Sequence, residues 1–138
     1  LLGLQNEAGL TTMMVDEQAM ETPPLQQTAV ENLRFLASGP PPPRPSDLMG
    51  SQRMTKIIER LLTEGDILLF DAPPVMAVTD AVILATKVDG VLLVVSANET
   101  KREYAQRSVE RLTKVNASIL GIVLNNVSPD AIVSSYYQ

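Results

Sequence analysis

Three apolar stretches of strand length constrain most strongly what this chain can fold into. They lie within residues 66–71, 90–96 and 118–124, and each is continuously apolar between its ends. Such runs are typical of strands that are buried on both faces of a parallel sheet. Helical patterns lie between them at residues 79–87 and 100–115. This alternation predicts an α/β fold, a doubly wound and mainly parallel sheet with helices on both faces.

The rest of the chain adds shorter predicted elements. Residues 1–14 suggest a short helix, 15–27 a surface loop, 32–37 a short strand, and 39–45 a stiff proline-rich connection. Ser46-Asp47 is a candidate cap for an amphipathic helix that ends near Thr63. Thr100 with Glu103 predicts a capping box, and the helix that follows has Tyr104 and Leu112 in its predicted buried stripe.

The amino-acid composition excludes or disfavours several classes of function. The chain has 138 residues, of which 45% are hydrophobic, and this is enough for one domain with a core. The net charge of −5 disfavours nucleic-acid binding. The absence of Cys and His excludes thiol nucleophiles, imidazole bases and the common zinc sites. No apolar run reaches the roughly 18 residues of a bilayer span, so we expect no membrane-crossing segment.

Polar residues stand at the predicted carboxyl ends of the strands. Asp71, Ser96 and Asn125 each close a run, and Ser38-Gly39 follows the short strand. Ligands of open α/β sheets bind at this edge. We therefore expect these four positions to lie along one edge of the sheet.

The candidate site residues each have an alternative structural role. Asp71 suits a Mg²⁺ ion beside nucleotide phosphates, or it caps the next turn. Asp80 is a possible neighbour of that site, or it complements a helix dipole. Asn125 has an amide that could bind a base edge, or it is a turn residue.

The C-terminal tail carries Tyr136 and Tyr137, two of three tyrosines. They are candidate phosphate acceptors, since each phosphate would add about −1.5 to −2 charges, or they are a chance aromatic pair. The basic residues between Lys101 and Lys114 are interpreted as a solvated helix face. No Gly-x-x-x-x-Gly-Lys-Ser/Thr motif occurs, so the 138 residues contain no P-loop cradle for nucleotide phosphates.

A series of segments, in order and spacing, resembles the bacterial tyrosine kinases of capsular and exopolysaccharide synthesis, the cytosolic domains of polysaccharide co-polymerases and relatives of the MinD/ParA-type ATPases. The segments are LASGPPPPRPSDLMGSQRM at 36–54, ILLFDAPPV at 67–75, TDA at 79–81, VDGVLLVV at 88–95 and LGIVLN at 120–125. Arg44 departs from the pattern, because this family usually has Asn in the proline-rich loop.

The resemblance implies roles for individual residues. Asp71 matches the Walker B aspartate that binds Mg²⁺, and Asn125 matches a position near adenine. Tyr136 and Tyr137 match the start of the tyrosine cluster that ATP phosphorylates, commonly on a neighbouring subunit of a ring. The family's Walker A and Walker A′ motifs would lie upstream of Leu1. The implied organisation is helix and loop entry at 1–31, an α/β core at 32–127 and a flexible tyrosine-containing tail at 128–138.

The resemblance also implies cofactors and partners. ATP and Mg²⁺ are expected only for the complete domain, so this chain alone should be inactive. The implied partners are a membrane-anchored co-polymerase segment and further copies in a homo-oligomeric ring, at the inner face of the bacterial plasma membrane. Two other functions stay open, a MinD/ParA-like ATPase without a tyrosine substrate and a non-catalytic assembly module.

Overall fold

The chain forms two compact units that divide between Asp71 and Ala72. The computed structural model describes residues 3–41 and 45–128. Tyr136 and Tyr137 lie outside these residues.

Unit 1 is mainly helical. Its elements are α1 (Leu10–Val15), α2 (Glu17–Glu21), β1 (Gln26–Gln27), β2 (Arg34–Phe35), α3 (Pro45–Met49) and α4 (Gln52–Leu62). Strands β1 and β2 pair antiparallel, with Gln26 opposite Phe35. Helix α2 and strand β1 fall in a region where the sequence predicts only a surface loop. The loop prediction was therefore wrong for these residues.

Helix α4 supplies much of the core of unit 1. Met54, Ile57 and Leu61 recur at helical spacing and are buried, as is Met13 of α1. The apolar stripe is therefore confirmed at these three positions of α4, whereas Leu62, which the pattern also includes, is 48% exposed. The start of the helix is not confirmed, because Ser51 caps α4 by accepting a hydrogen bond from the Met54 amide at 3.2 Å. The predicted single helix is split into α3 and α4.

Close backbone contacts join the start of α1 to the chain that follows β2. The amides of Leu10 and Thr11 donate to the carbonyls of Ala37 and Ser38 at 2.8 and 2.9 Å. A methyl group at Gly9 would collide with the Ala37 carbonyl, so only glycine fits there. This contact fixes the place from which the proline-rich segment departs.

Unit 2 is a strand and helix assembly. Its elements are α5 (Asp80–Ala85), β3 (Val91–Ser96), α6 (Arg102–Lys114) and β4 (Ile119–Asn125). Strands β3 and β4 are parallel, and their register runs from Val91 opposite Ile119 to Ser96 opposite Asn125 with one irregularity after Val91. The prediction of parallel strands is confirmed for this pair, and the described residues form a partial α/β fold.

The third apolar run does not form a strand. Residues 67–70 have irregular structure, and Ile67 and Leu69 are 81% and 79% exposed. A parallel strand needs a neighbour to satisfy its amides and carbonyls, and the described residues place no strand beside this run. The prediction of a buried strand here was therefore wrong. The 32–37 strand is likewise reduced to β2, which pairs antiparallel.

Helix α6 begins differently from the prediction. Lys101 occupies the N-cap position without a side-chain cap hydrogen bond. The Thr100 hydroxyl instead accepts a hydrogen bond from the Ser96 amide at 3.2 Å, so it stabilises the preceding turn. Ser108 and Leu112 are buried as expected, but Tyr104 is 47% exposed. The predicted capping box and the buried place of Tyr104 were both wrong.

The two parallel strands leave apolar side chains open to solvent. Leu92, Val94, Leu120 and Ile122 are all more than half exposed. Isolated exposed apolar residues are normal, but a group of them marks a surface suited to contact with other protein. In the described part of the chain, no helix has the length and apolar character needed to span a membrane.

Candidate functional site

The carboxyl edge of β3 and β4 is a cluster of neutral polar groups. Ser96 and Asn125, the last residues of the two strands, lie opposite each other in the register. The Ala97 amide donates to the Asn125 carbonyl at 2.8 Å and continues the pairing by one residue. The sequence prediction that these two strand ends meet at one edge is confirmed.

The residues after the strands complete the cluster. Asn126 has a φ of 56°, a left-handed conformation that Asn tolerates better than most side chains. Its Nδ2 donates to the Ser96 hydroxyl at 3.1 Å, and its carbonyl accepts from Asn98 Nδ2 at 3.0 Å. These bonds hold the loop after β3 against the loop after β4.

The side chain of Asn125 retains hydrogen-bonding capacity. Its Oδ1 accepts from the Asn126 amide at 2.9 Å, which orients the side-chain amide. Its Nδ2 has no partner among the described residues, and the residue is exposed. An oriented amide donor at a strand end can bind a ring nitrogen or a carbonyl oxygen of a ligand. The neutral character of the cluster suits a base better than a phosphate.

Asp71 lies at the end of unit 1. It is exposed and follows the irregular segment that starts after α4. Asn125 belongs to unit 2, so their predicted proximity stays a prediction. Within residues 3–41 and 45–128, no three acidic side chains form a cluster that could hold a metal ion. A single accessible carboxylate nevertheless fits Mg²⁺, which commonly takes one or two carboxylates and completes its shell with water and phosphate oxygens.

The remaining predicted residues lie at other places in the two units. Asp80 is the first residue of α5, a position that complements the helix dipole. Gly39 has a φ of 78°, and its amide donates to Asn6 Oδ1 at 2.8 Å. Ser38 also donates to Asn6 Oδ1, at 3.2 Å. Asn6 therefore sets the conformation of the Ser38-Gly39 turn.

A small cavity in unit 1 lies apart from all of these residues. Its volume is about 200 Å³, and it is lined by Gln5, Glu7, Ala8, Pro24 and Gln26. Ligand pockets commonly measure roughly 300–1,000 Å³. The cavity is thus too small for a nucleoside triphosphate, and it contains none of the sequence-predicted site residues.

Sequence reasoning missed three residues that contribute to these sites. Asn98 and Asn126 hold the edge cluster together, and the Asn125-Asn126 doublet at a strand end was a signal for the second of them. Asn6 clamps the Gly39 turn across 33 residues of sequence. No local pattern around Asn6 indicates that role, because its partner is distant in the chain.

Curated relatives of this chain are bacterial proteins. Tyrosine-protein kinase YwqD of Bacillus subtilis strain 168 is 35% identical over 122 residues, which cover 88% of this chain and 51% of YwqD. CapB of Staphylococcus aureus is 34% identical over 137 residues, or 99% of this chain and 60% of CapB. No protein-family profile matches the chain. The chain spans about half the length of the curated relatives it matches.

Solved structures agree with these relatives. The kinase domain of Escherichia coli tyrosine kinase ETK matches with a TM-score of 0.81 at 27% identity, over 92% of this chain and 49% of that one. The chimerical protein CapA2B2 also matches with a TM-score of 0.81, at 29% identity, over 91% of this chain and 55% of that one. By both sequence and fold, the chain is similar to part of the bacterial tyrosine-protein kinases.

Proposed function

We propose that the chain is the Walker B and tyrosine-tail portion of an ATP-dependent protein-tyrosine kinase that regulates the length and export of capsular or exopolysaccharide chains. The observation that carries this proposal is the 35% identity to a tyrosine-protein kinase over 122 residues. The alignment includes nearly nine tenths of the chain, so the likeness is not confined to one motif.

Asp71 is the residue we assign to Mg²⁺. Its exposed carboxylate supplies one ligand, and water and ATP phosphate oxygens would supply the others. The ion, when bound, neutralises charge on the transferred phosphoryl group. Asp80 would not bind the ion directly and would instead contact the groups that do. In this proposal the chain needs a phosphate-binding loop from outside these 138 residues, and alone it turns over little or no ATP.

Asn125 is the residue we assign to adenine. Its orientation by the Asn126 amide and the unpartnered Nδ2 support this assignment. The phosphate acceptors would be Tyr136 and Tyr137, and an acidic side chain would accept the phenol proton. The tail that carries them continues from β4 and therefore starts at the edge where Asn125 lies.

The proposed partners are further copies of the kinase and a membrane-anchored activator segment. The exposed apolar side chains of β3 and β4 support contact with other protein. The match to a chimerical CapA2B2 protein is consistent with an activator that is fused or bound to the kinase. In this proposal the protein acts in the cytoplasm at the inner face of the plasma membrane, without nucleic acid as a ligand.

A segment exchange tests the proposal. The whole chain, through Gln138, replaces the YwqD segment to which 122 of its residues align together with the YwqD residues that follow, and the purified chimera is incubated with MgATP. Phosphotyrosine on Tyr136 or Tyr137 is expected, and Asp71→Asn should remove it. Asp66→Asn, a change at another exposed carboxylate five residues earlier, is the matched control and should retain it.

The same assay separates the other two functions. A folded chimera that hydrolyses ATP without forming phosphotyrosine would favour a MinD/ParA-like ATPase. A folded chimera with neither activity would favour a non-catalytic assembly module. Far-ultraviolet circular dichroism establishes whether the chimera has folded.

A further inference from the structure

Tyr104 is the one tyrosine within the described residues, and its surroundings are unusual for a surface phenol. It lies in the first turn of α6 and is 47% exposed. Lys101 and Arg102 precede it, and both are exposed. Arg107 and Arg111 follow it by three and seven residues. The aromatic ring is thus open to solvent within a group of cationic side chains.

Helical geometry places Arg107 and Arg111 on the side of Tyr104, whereas Arg102 lies about 160° away around the helix axis. At 3.6 residues per turn, Arg107 and Arg111 lie within about 60° of Tyr104 around the helix axis. Glu103 and Glu110 lie about 100° and 120° away on the same count. Residues three apart on a helix are neighbours, so Arg107 is within reach of the phenol oxygen.

Both arginines can accept an additional anionic partner. Arg107 pairs with Glu103, but the two side chains are 55% and 63% exposed, and exposed pairs of this kind contribute little. Arg111 donates to the Val75 carbonyl at 3.1 Å, which fixes its position and leaves other N–H groups of its guanidinium. A phosphate beside them would carry about −1.5 to −2 charges and three acceptor oxygens.

The local backbone gives an enzyme access to the phenol. The N-cap residue Lys101 makes no side-chain cap hydrogen bond, so the first turn of α6 lacks a common source of stability. Helix ends of this kind fray. Transient opening of one turn would bring Tyr104 into an extended conformation that an active site can bind.

The geometry points to Tyr104 as a second site of tyrosine phosphorylation, outside the tail, whose phosphate is held by Arg107 and Arg111. This inference rests on the proposed kinase function. In the step, the Tyr104 phenol oxygen bonds to the γ-phosphorus of ATP while the bond from that phosphorus to the β,γ-bridging oxygen breaks. ADP leaves, and the phenol proton passes to a carboxylate of the catalysing kinase or to water.

Trypsin separates the two kinds of site. Cleavage after Arg102 and Arg107 releases residues 103–107 with Tyr104, whereas Tyr136 and Tyr137 lie in the peptide after Lys114. The full 138-residue chain is incubated with purified YwqD and MgATP, and phosphopeptides are quantified by mass spectrometry. We expect phosphate on 103–107 at no less than about one tenth of its occupancy on the tail, and Tyr104→Phe should abolish it.

The outcomes are distinguishable from those of the proposed function. Phosphate on the tail with none on 103–107 overturns the present inference and leaves the kinase proposal standing. A chimera that forms no phosphotyrosine overturns the kinase proposal independently. Alkaline phosphatase should remove the Tyr104 phosphate at least threefold more slowly from the unchanged chain than from the double variant Arg107→Gln with Arg111→Gln, from which trypsin releases Tyr104 within residues 103–114. Equal removal rates in both proteins would contradict the role of the arginines.

Discussion

The guanidinium of Arg53, in α4, donates two hydrogen bonds to the carbonyl of Met13, at the C-terminal end of α1. Nε and Nη2 lie 3.0 and 2.9 Å from that oxygen. Nη2 also donates to the Asp16 carbonyl at 3.2 Å. The last carbonyls of a helix lack partners within the helix, and a planar fork of donors satisfies them well. One side chain therefore closes α1 and joins it to α4.

Replacement of Arg53 should destabilise unit 1. Arg53→Met removes charged donors from partly buried carbonyls, and we expect a loss of about 1.5–3 kcal/mol in the free energy of unfolding. Arg53→Lys should lose most of the same amount, because a single ammonium cannot reproduce the fork. Urea denaturation measures both. Glu17→Gln removes only the exposed ion-pair partner of Arg53 and should cost less than about 1 kcal/mol.

Replacement by alanine should strongly destabilise the fold at Gly9 but have almost no effect at Gly65. A methyl group at Gly9 collides with backbone atoms of Ala37 and Gly39, which cannot rotate away, so Gly9→Ala should cost about 1–3 kcal/mol or more. Nothing lies within 4 Å of a methyl group at Gly65, so Gly65→Ala should change stability by less than about 0.5 kcal/mol. Thermal unfolding of both variants checks the contrast. Similar melting temperatures would contradict the close approach at Gly9.

Glu64 should make stability depend on pH in the acid range. Hydrogen bonds from Arg60 and then Arg34 lower the pKa of the Glu64 carboxyl below its ordinary value of 4.5. A carboxyl whose pKa is lower in the folded than in the unfolded state stabilises the fold at pH values above its unfolded-state pKa. This stabilisation is lost as the pH falls through the pKa of the folded state.

The difference in urea midpoint between the unmodified chain and Glu64→Gln should accordingly be largest at pH 6–7. It should shrink once the pH falls below 4.5. Glu59→Gln, at an exposed position of α4, is the matched control and should change the urea midpoint little at pH 7. A Glu64→Gln difference that grows towards low pH would contradict the assignment.

MgATP should bind the isolated chain weakly. The 138 residues contain no P-loop motif, and the described acidic residues form no metal-holding cluster, so the proposed Mg²⁺ ligand Asp71 would have no phosphate-binding loop from this chain beside it. Isothermal titration should detect no affinity better than about 1 mM, equivalent to about −4 kcal/mol. Micromolar affinity would reveal a phosphate site that these residues form in another way.

The sequence patterns correctly predicted the elements whose local preference agrees with their packing in the folded chain. Strand β3 and strand β4 follow continuous apolar runs, and α4 follows apolar residues at helical spacing. The run at 67–70 is as continuously apolar as residues 91–95 of β3 but forms no strand. Apolar character indicates that a segment suits a sheet, whereas the strand itself requires hydrogen-bonding neighbours that composition does not reveal.

Caps and the candidate site were only partly predictable. Thr100 has the residue type of an N-cap, but its hydroxyl is taken by the Ser96 amide, a contact set by the turn. Ser96 and Asn125 were placed at one edge correctly, because parallel strands impose it. The roles of Asn6 and Arg53 depend on partners 33 and 40 residues away, and periodicity carries no information about such pairs.

The 40-residue separation between Arg53 and Met13 has a consequence during synthesis. A ribosome that adds about 5–20 residues per second needs about 2–8 s to translate from Met13 to Arg53. Until then α1, only six residues long, has no partner for its last carbonyls and is too short to persist in water. Helix α1 is therefore expected to form only after translation has passed α4, and a shorter nascent chain leaves Met13 and Met14 without the burial they have in the folded unit.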